Sequence, residues 1–347
     1  MWHLRTRLIS VLDAVGALEI AMVARKHVRM PYLPIVTYHR LGEPDVDARE
    51  LDDSVVDATK EGFDKQVALM TKRFTILGVE ELRQFFFEGR PLPKNPVLIT
   101  FDDGYKACYD IALPTLKKYG AKAIFFISTG HMQDRKVFWW DRVNYLVKRS
   151  TKAQIELEYP KRVVYQLNGN RARSLTAILD VIKMTYGMDV EKFLGELSRA
   201  TGVPWTDADD KRITDDVLMT WDQVRELHRA GMDIESHTHT HRVLTTLPPD
   251  QLEQELVGSK RLLEERIDAP VRALAYPVSL SMAENGHILE AVKRANYELG
   301  FSTSAGLGPL GPKTDPLDIQ RIWVDPTLPH SYFRAALAVP HLTYRRR

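Results

Sequence analysis

At 347 residues, 44% hydrophobic and 27% charged, with a mean hydropathy of −0.27, the chain can bury a large core in one or two globular domains. A net charge of +2 supplies no basic field, so no nucleic-acid partner is expected. The single cysteine, Cys108, excludes an intrachain disulfide and a Cys-rich zinc site. It falls in a helical pattern and reads as a small buried apolar residue.

Residues 1–30 read as an N-terminal helix. Leu8, Ile9, Leu12, Val15, Leu18, Met22 and Val23 recur at helical spacing, and Arg5, Arg7, Arg25, Lys26 and Arg29 flank them. Asp13 and Glu19 keep the apolar run below spanning length, and no small-residue cleavage site follows it. The helix therefore either packs on the domain or rests peripherally on an anionic membrane surface, which the three arginines at 345–347 also suit. The matching location is cytoplasmic or peripheral at the membrane.

Residues 34–39 form a short apolar run of strand character. Phe63, Val67, Leu69 and Met70 predict a helix over 61–74. Val97-Leu98-Ile99-Thr100-Phe101 is a continuous buried strand. A helix over 109–119 follows, with a kink expected at Pro114 and a stop at Gly120. Residues 123–127 are the next strand. Strand–helix–strand order predicts a parallel α/β sheet.

Residues 130–217 break the order and read as an insertion. It has an alternating stretch over 155–165, helical patterns over 175–186 and 190–200, and a close at Thr214-Asp215-Asp216. Helices over 221–230, 251–267 and 288–295 then alternate with strands over 232–235, 272–277 and 299–303, and residues 319–324 form the last strand. The main body is expected over 31–129 and 218–326, on either side of the insertion, with a tail over 327–347.

Two motifs carry the chemistry. Thr100-Phe101-Asp102-Asp103-Gly104-Tyr105 supplies two carboxylates, and Ser236-His237-Thr238-His239-Thr240-His241 supplies three imidazoles. Both stand at the carboxyl ends of predicted parallel strands, the edge on which α/β folds build active sites. Asp103, His237 and His241 offer one oxygen and two nitrogens to a divalent metal and leave coordination positions open. Zinc fits this donor set best, with Co2+ or Ni2+ as alternatives. Asp102 is then free to take a proton from water. Gly104 permits close backbone approach, and the Tyr105 amide can stabilise an oxyanion. His239 reads as facing away from the metal. Ser236 and Thr238 either orient imidazoles or satisfy backbone.

At these residues the chain resembles the polysaccharide deacetylases, the carbohydrate esterase family that shares the NodB homology domain. Residues 100–105 are similar to its T-F-D-D-G motif, residues 237–241 to its H-[S/T]-x-x-H motif, and Ala275-Tyr276-Pro277 to the A-Y-P form of a third. Residues 34–40 resemble the opening strand. The resemblance implies a distorted (β/α) barrel of about seven parallel strands with a helical and mixed insertion, and one divalent metal. It assigns Asp102 as base and Asp103, His237 and His241 as ligands. Tyr276 and Pro277 would line the substrate groove. The reaction implied is hydrolysis of the N-acetyl group of an N-acetylglucosamine-type sugar in a glycan or glycolipid.

Three departures follow. The arginine that tunes the aspartate is missing from the third motif, and Arg321 in the last strand is the expected substitute. No late Leu-x-His motif supplies a general acid. His330 is the nearest late histidine, while His39 and His287 read as structural. Val278-Ser279 follows Pro277 where a glycine is frequent. In the insertion, Trp140 within Phe138-Trp139-Trp140 is a candidate sugar-stacking wall. The alternatives to a deacetylase are a hydrolase of another amide, such as a formamide or cyclic imide, and a sugar-binding protein without turnover.

Overall fold

The computed structural model describes residues 2–25, 27, 32–43, 50–278, 281–303, 310–311 and 314–343. Lys26, Arg29, Ser279 and the arginines at 345–347 lie outside the described residues.

The central sheet is built from β1 (Ile35–Tyr38), β2 (Pro96–Phe101), β3 (Ile124–Ile127), β4 (Asp233–Ser236), β5 (Ala273–Ala275), β6 (Leu299–Ser302), β7 (Ile319–Gln320) and β8 (Ile322–Trp323). Its order is β7-β6-β5-β4-β3-β2-β1-β8, and every neighbouring pair is parallel. The two edges, β7 and β8, are separated in sequence by Arg321 alone. The sheet is thus nearly closed into a barrel, with β7 and β8 as two halves of one last strand. Counted that way, the barrel has the seven strands expected.

Strand alternation divides the core in two. Ile35, Leu98, Ile124, Phe126, Ala273, Ala275, Leu299 and Phe301 pack together inside the barrel. Their neighbours Val36, Val97, Ile99, Phe125, Ile127 and Leu274 pack outward against the helical layer. Burial on both faces explains why these strands read as unbroken apolar runs.

Two helices depart from straight α geometry. Around Pro114 the chain makes a π-turn over Cys108–Ala112 before the α-helix Leu113–Tyr119. Proline lacks an N–H and crowds the preceding turn, so the backbone widens there. The expected helix over 251–267 is likewise split into Pro249–Glu253, a π-turn Gln254–Gly258, and Ser259–Ile267.

Between β3 and helix Trp221–Arg229 the chain adds the helices Thr129–Asp134, Trp139–Arg149, Arg171–Met184, Val190–Thr201 and Asp207–Val217, and one antiparallel hairpin. Three of these, Thr129–Asp134, Trp139–Arg149 and Asp207–Val217, went unseen in the sequence. Trp139–Arg149 buries eight of its residues. Asp207–Val217 contains Thr214-Asp215-Asp216 in its last turns. It is started by a Thr206–Asp209 capping box, with Asp207, Asp209 and Asp210 at its positive end.

The N-terminal segment is two helices, Trp2–Ala14 and Ala17–Ala24, broken at Gly16, whose φ is 78°. They pack on helix His330–Ala338, within the residues expected as a tail. Among the described residues no helix is long and apolar enough to cross a membrane.

Candidate active site

Strand parity aims the motif residues at the barrel axis. Leu98 and Thr100 face inward along β2, and Asp102 continues that series. Glu235 pairs with interior Phe126, so His237 continues the inward series of β4. Beyond each strand the chain turns sharply. Asp103 has φ 74°, Thr238 63°, His241 54° and Val278 52°. Four non-glycine residues in the left-handed region within one site is strain held by surrounding packing.

His237 Nε2 and His241 Nε2 lie 3.4 and 3.3 Å from Asp103 Oδ1. All three residues are buried, and together they form a possible metal-binding group. The Asp103 Oδ1 atom has no hydrogen-bond donor, an expensive state for a buried carboxylate oxygen. His237 Nδ1 donates to the Ala275 carbonyl at 2.8 Å, which leaves the lone pair on Nε2. Burial pushes the His241 imidazole down to about 4, so its ring is neutral at neutral pH. Burial also disfavours the Asp103 charge, but the two imidazoles overcome it and hold the carboxyl far below its usual range. One buried carboxylate oxygen facing two imidazole nitrogens is a donor set that fits a divalent cation.

Asp102 is held differently. Arg321 donates Nη1 to Oδ1 and Nη2 to Oδ2, both at 2.7 Å. The arginine is fully buried, with its guanidinium 5.3 Å from the Phe126 ring centre. Burial works against the Asp102 charge, yet Arg321, with His237 and His39 close by, holds the carboxyl below its ordinary value. Arg321 is absent from the cavity lining and reaches it only through Asp102.

His39 is the residue that sequence reasoning set aside as structural. It lines the same cavity as Asp103, His237 and His241, with Nε2 3.9 Å from Asp102 Oδ2. Behind it, Asp57 Oδ2 accepts from the His39 amide and stands 3.0 Å from Nδ1. Burial favours the neutral ring, but Asp57, aided by Asp103 and Asp102, pushes His39 up to about 10. The signal was available: Tyr38-His39 ends β1 on the same edge as both motifs. His330 instead starts helix His330–Ala338, stacks on Phe333 and does not line the cavity.

The cavity measures about 330 Å³ and is lined also by Tyr276, Trp139, Trp140, Val278, Trp323 and Lys183. The Tyr276 ring is buried and its hydroxyl donates to the Leu317 carbonyl at 2.7 Å. A Cβ at Gly300 would lie 2.4 Å from that hydroxyl, so the glycine makes room for the tyrosine. Pro277, expected in the groove, is buried, and the wall is formed by Tyr276 and Val278. Trp140 stacks on Phe138 and lies 4.3 Å from the His241 ring centre. Trp140 thus lines the cavity and at the same time packs the His241 imidazole. Trp323, 62% exposed, is the open aromatic at the mouth.

The Tyr105 side chain is fully buried. Its phenol donates to Asp141 Oδ2 and accepts from Trp140 Nε1, both at 3.0 Å. The side chain therefore ties the aspartate turn to helix Trp139–Arg149. Burial pushes Asp141 up to about 7. His239 turns aside, with Nδ1 3.0 Å from Thr129 Oγ1. Glu255, carried on the π-turn, accepts from the His239 and Thr240 amides at 2.8 and 2.7 Å and from the Thr240 hydroxyl. It clamps the histidine loop from behind.

Residues 89–158 and 198–300 match the family model for polysaccharide deacetylase. The chain belongs to the polysaccharide deacetylases. This is a family of hydrolases acting on carbon–nitrogen bonds outside peptides. Among curated relatives it is 22% identical over 275 residues to YxkH of Bacillus subtilis (strain 168), covering 79% of this chain. It spans 65% of the length of YxkH. Among solved structures, the deacetylase PplD of Streptococcus pyogenes, in complex with acetate, matches with a TM-score of 0.55 at 21% identity, over 86% of this chain and 95% of that one. IcaB of Ammonifex degensii matches with a TM-score of 0.53 at 17% identity, over 89% and 97%. These two likenesses establish the deacetylase barrel fold.

Proposed function

We propose that this protein hydrolyses the N-acetyl group of an N-acetylglucosamine-type sugar in a glycan or glycolipid, releasing acetate and leaving a free amine, with one divalent metal. The observation that carries the reading is the pairing of two unlike aspartates. Asp103 is orphaned between two imidazole nitrogens, while its neighbour Asp102 is saturated by Arg321. Asp103, His237 and His241 would hold the metal. Zinc fits their oxygen and nitrogen donors, and when bound it would polarise the acetyl carbonyl and make water acidic.

The chain's own groups would do the rest. Asp102 takes the water proton at Oδ2, the oxygen that faces His237 and His39. The Arg321 grip keeps that carboxylate ionised and aimed. The Tyr105 amide, after the positive-φ pair Asp103 and Gly104, would donate to the developing oxyanion. His39 Nε2 would protonate the leaving amine, with Asp57 holding the ring and keeping it charged. Tyr276 and Trp323 offer apolar ring surface to a pyranose.

The test is acetate release from N-acetylglucosamine oligomers by metal-stripped protein, before and after zinc is restored, with Asp102→Asn as control. Zinc-dependent release that the control lacks supports the proposal. Zinc bound at one equivalent without release from any acetylated sugar overturns it in favour of another amide or a binding role.

A further inference from the structure

The two N-terminal helices carry apolar residues on two opposed faces. One face is used: Ile9, Leu18 and Met22 are buried, the first two against Tyr332 and Ala335 of helix His330–Ala338. The other is open. Leu4, Leu8, Val11, Val15, Ile20 and Val23 are 40–75% exposed, nearly half of the large apolar side chains so exposed among the described residues. At 3.6 residues per turn, Leu4, Leu8, Val11 and Val15 fall within an arc of about 60°, a single stripe along the helix.

The charges on these helices are sorted between the same faces. Asp13 and Glu19, the two acids that interrupt the apolar run, are turned inward. Asp13 pairs with Arg334 at 2.8 Å, and Glu19 pairs with Arg334 at 3.1 Å and with Arg73. Arg5 and Arg7 flank the open stripe on its two sides, and neither has an ion-pair partner among the described residues. The outward face is therefore apolar with a cationic border, while its acids are neutralised underneath.

We propose that this face seats on the surface of a bilayer rich in anionic phospholipid. The helices, of 13 and 8 residues, are too short to cross it and lie in its plane. The apolar stripe enters the acyl boundary, and Arg5 and Arg7 meet headgroup phosphates. A second copy of the chain is the poorer occupant, since a two-fold contact through this stripe would bring the arginine borders of both copies together. The proposal does not depend on the reaction at the active site.

Co-sedimentation of the full chain with vesicles of phosphatidylglycerol and phosphatidylcholine, against phosphatidylcholine alone, tests it. Binding should require the anionic lipid and weaken with salt. Leu8→Glu with Val11→Glu should weaken it about tenfold or more, with melting temperature and zinc stoichiometry unchanged because both side chains are exposed. Ile20→Glu with Val23→Glu, on the second helix, should do the same and guards against misfolding of the first pair. Equal sedimentation of parent and variants, or none by the parent, overturns the proposal. So does a dimer in light scattering that the same variants dissolve, which would make a second copy the occupant.

Discussion

Arg321 grips both oxygens of Asp102 from the single residue at which the last strand changes partner from β6 to β1. The residue that closes the barrel is thus the one that charges and orients the candidate base. Fold closure and base alignment are one structural event. Replacing Arg321 with Ala would leave Asp102 buried and unpaired, at a cost of about 3–5 kcal/mol. The carboxyl would rise toward its neutral form, so the acid limb of the kcat/KM profile should move to higher pH. Arg321→Lys should recover part of the charge effect and little of the geometry. An acid limb that stays in place in Arg321→Ala would remove Arg321 from the mechanism.

The two adjacent aspartates should separate cleanly under mutation. Asp102→Asn should keep about one zinc per chain and lose turnover by about 10²–10⁴. Asp103→Asn should lose the metal itself. Metal content measured beside acetate release distinguishes the two, and equal metal loss in both would contradict the division of labour.

Asp57 should set the alkaline limb. It raises His39, and His39 must carry a proton to serve as acid, so activity should fall as pH rises through the His39 pKa. Asp57→Asn removes the group that supports the charge. The alkaline limb should then shift to lower pH by about 1 unit or more. A pH–rate profile of parent and variant is the measurement, and an unmoved limb would exclude His39 as the acid.

Asp141 gives a stability signature away from the reacting atoms. Its folded pKa of about 7 lies above the ordinary 3.8, so the native state binds this proton more tightly than the unfolded chain. The contribution is present below the unfolded value and is lost as pH rises from about 4 to about 7. Asp141→Asn cannot ionise. The melting temperature of the variant relative to the parent should therefore improve across that window, by the equivalent of on the order of 4 kcal/mol. A constant difference over the window would show that Asp141 titrates normally.

Much of this protein was legible in residue order alone. Strands buried on both faces are continuous apolar runs, so Val97-Leu98-Ile99 and residues 123–127 announced a parallel sheet. Asp-Asp and His-x-x-x-His at strand ends pointed to the three side chains that converge as a possible metal-binding group. What lay beyond the sequence depended on contacts between distant segments. His39 is a cavity residue only because β1 lies between β2 and β8, and because Asp57 stands behind it. Trp140 meets the His241 ring because helix Trp139–Arg149 folds back on the histidine loop. Asp13 and Glu19, which in sequence interrupt an apolar run, prove to be half-buried partners of Arg334 and Arg73. Local periodicity determines which element forms and which side chains share a face. Only tertiary packing decides what each face meets, since that choice is made by burial and charge pairing across residues hundreds of positions apart.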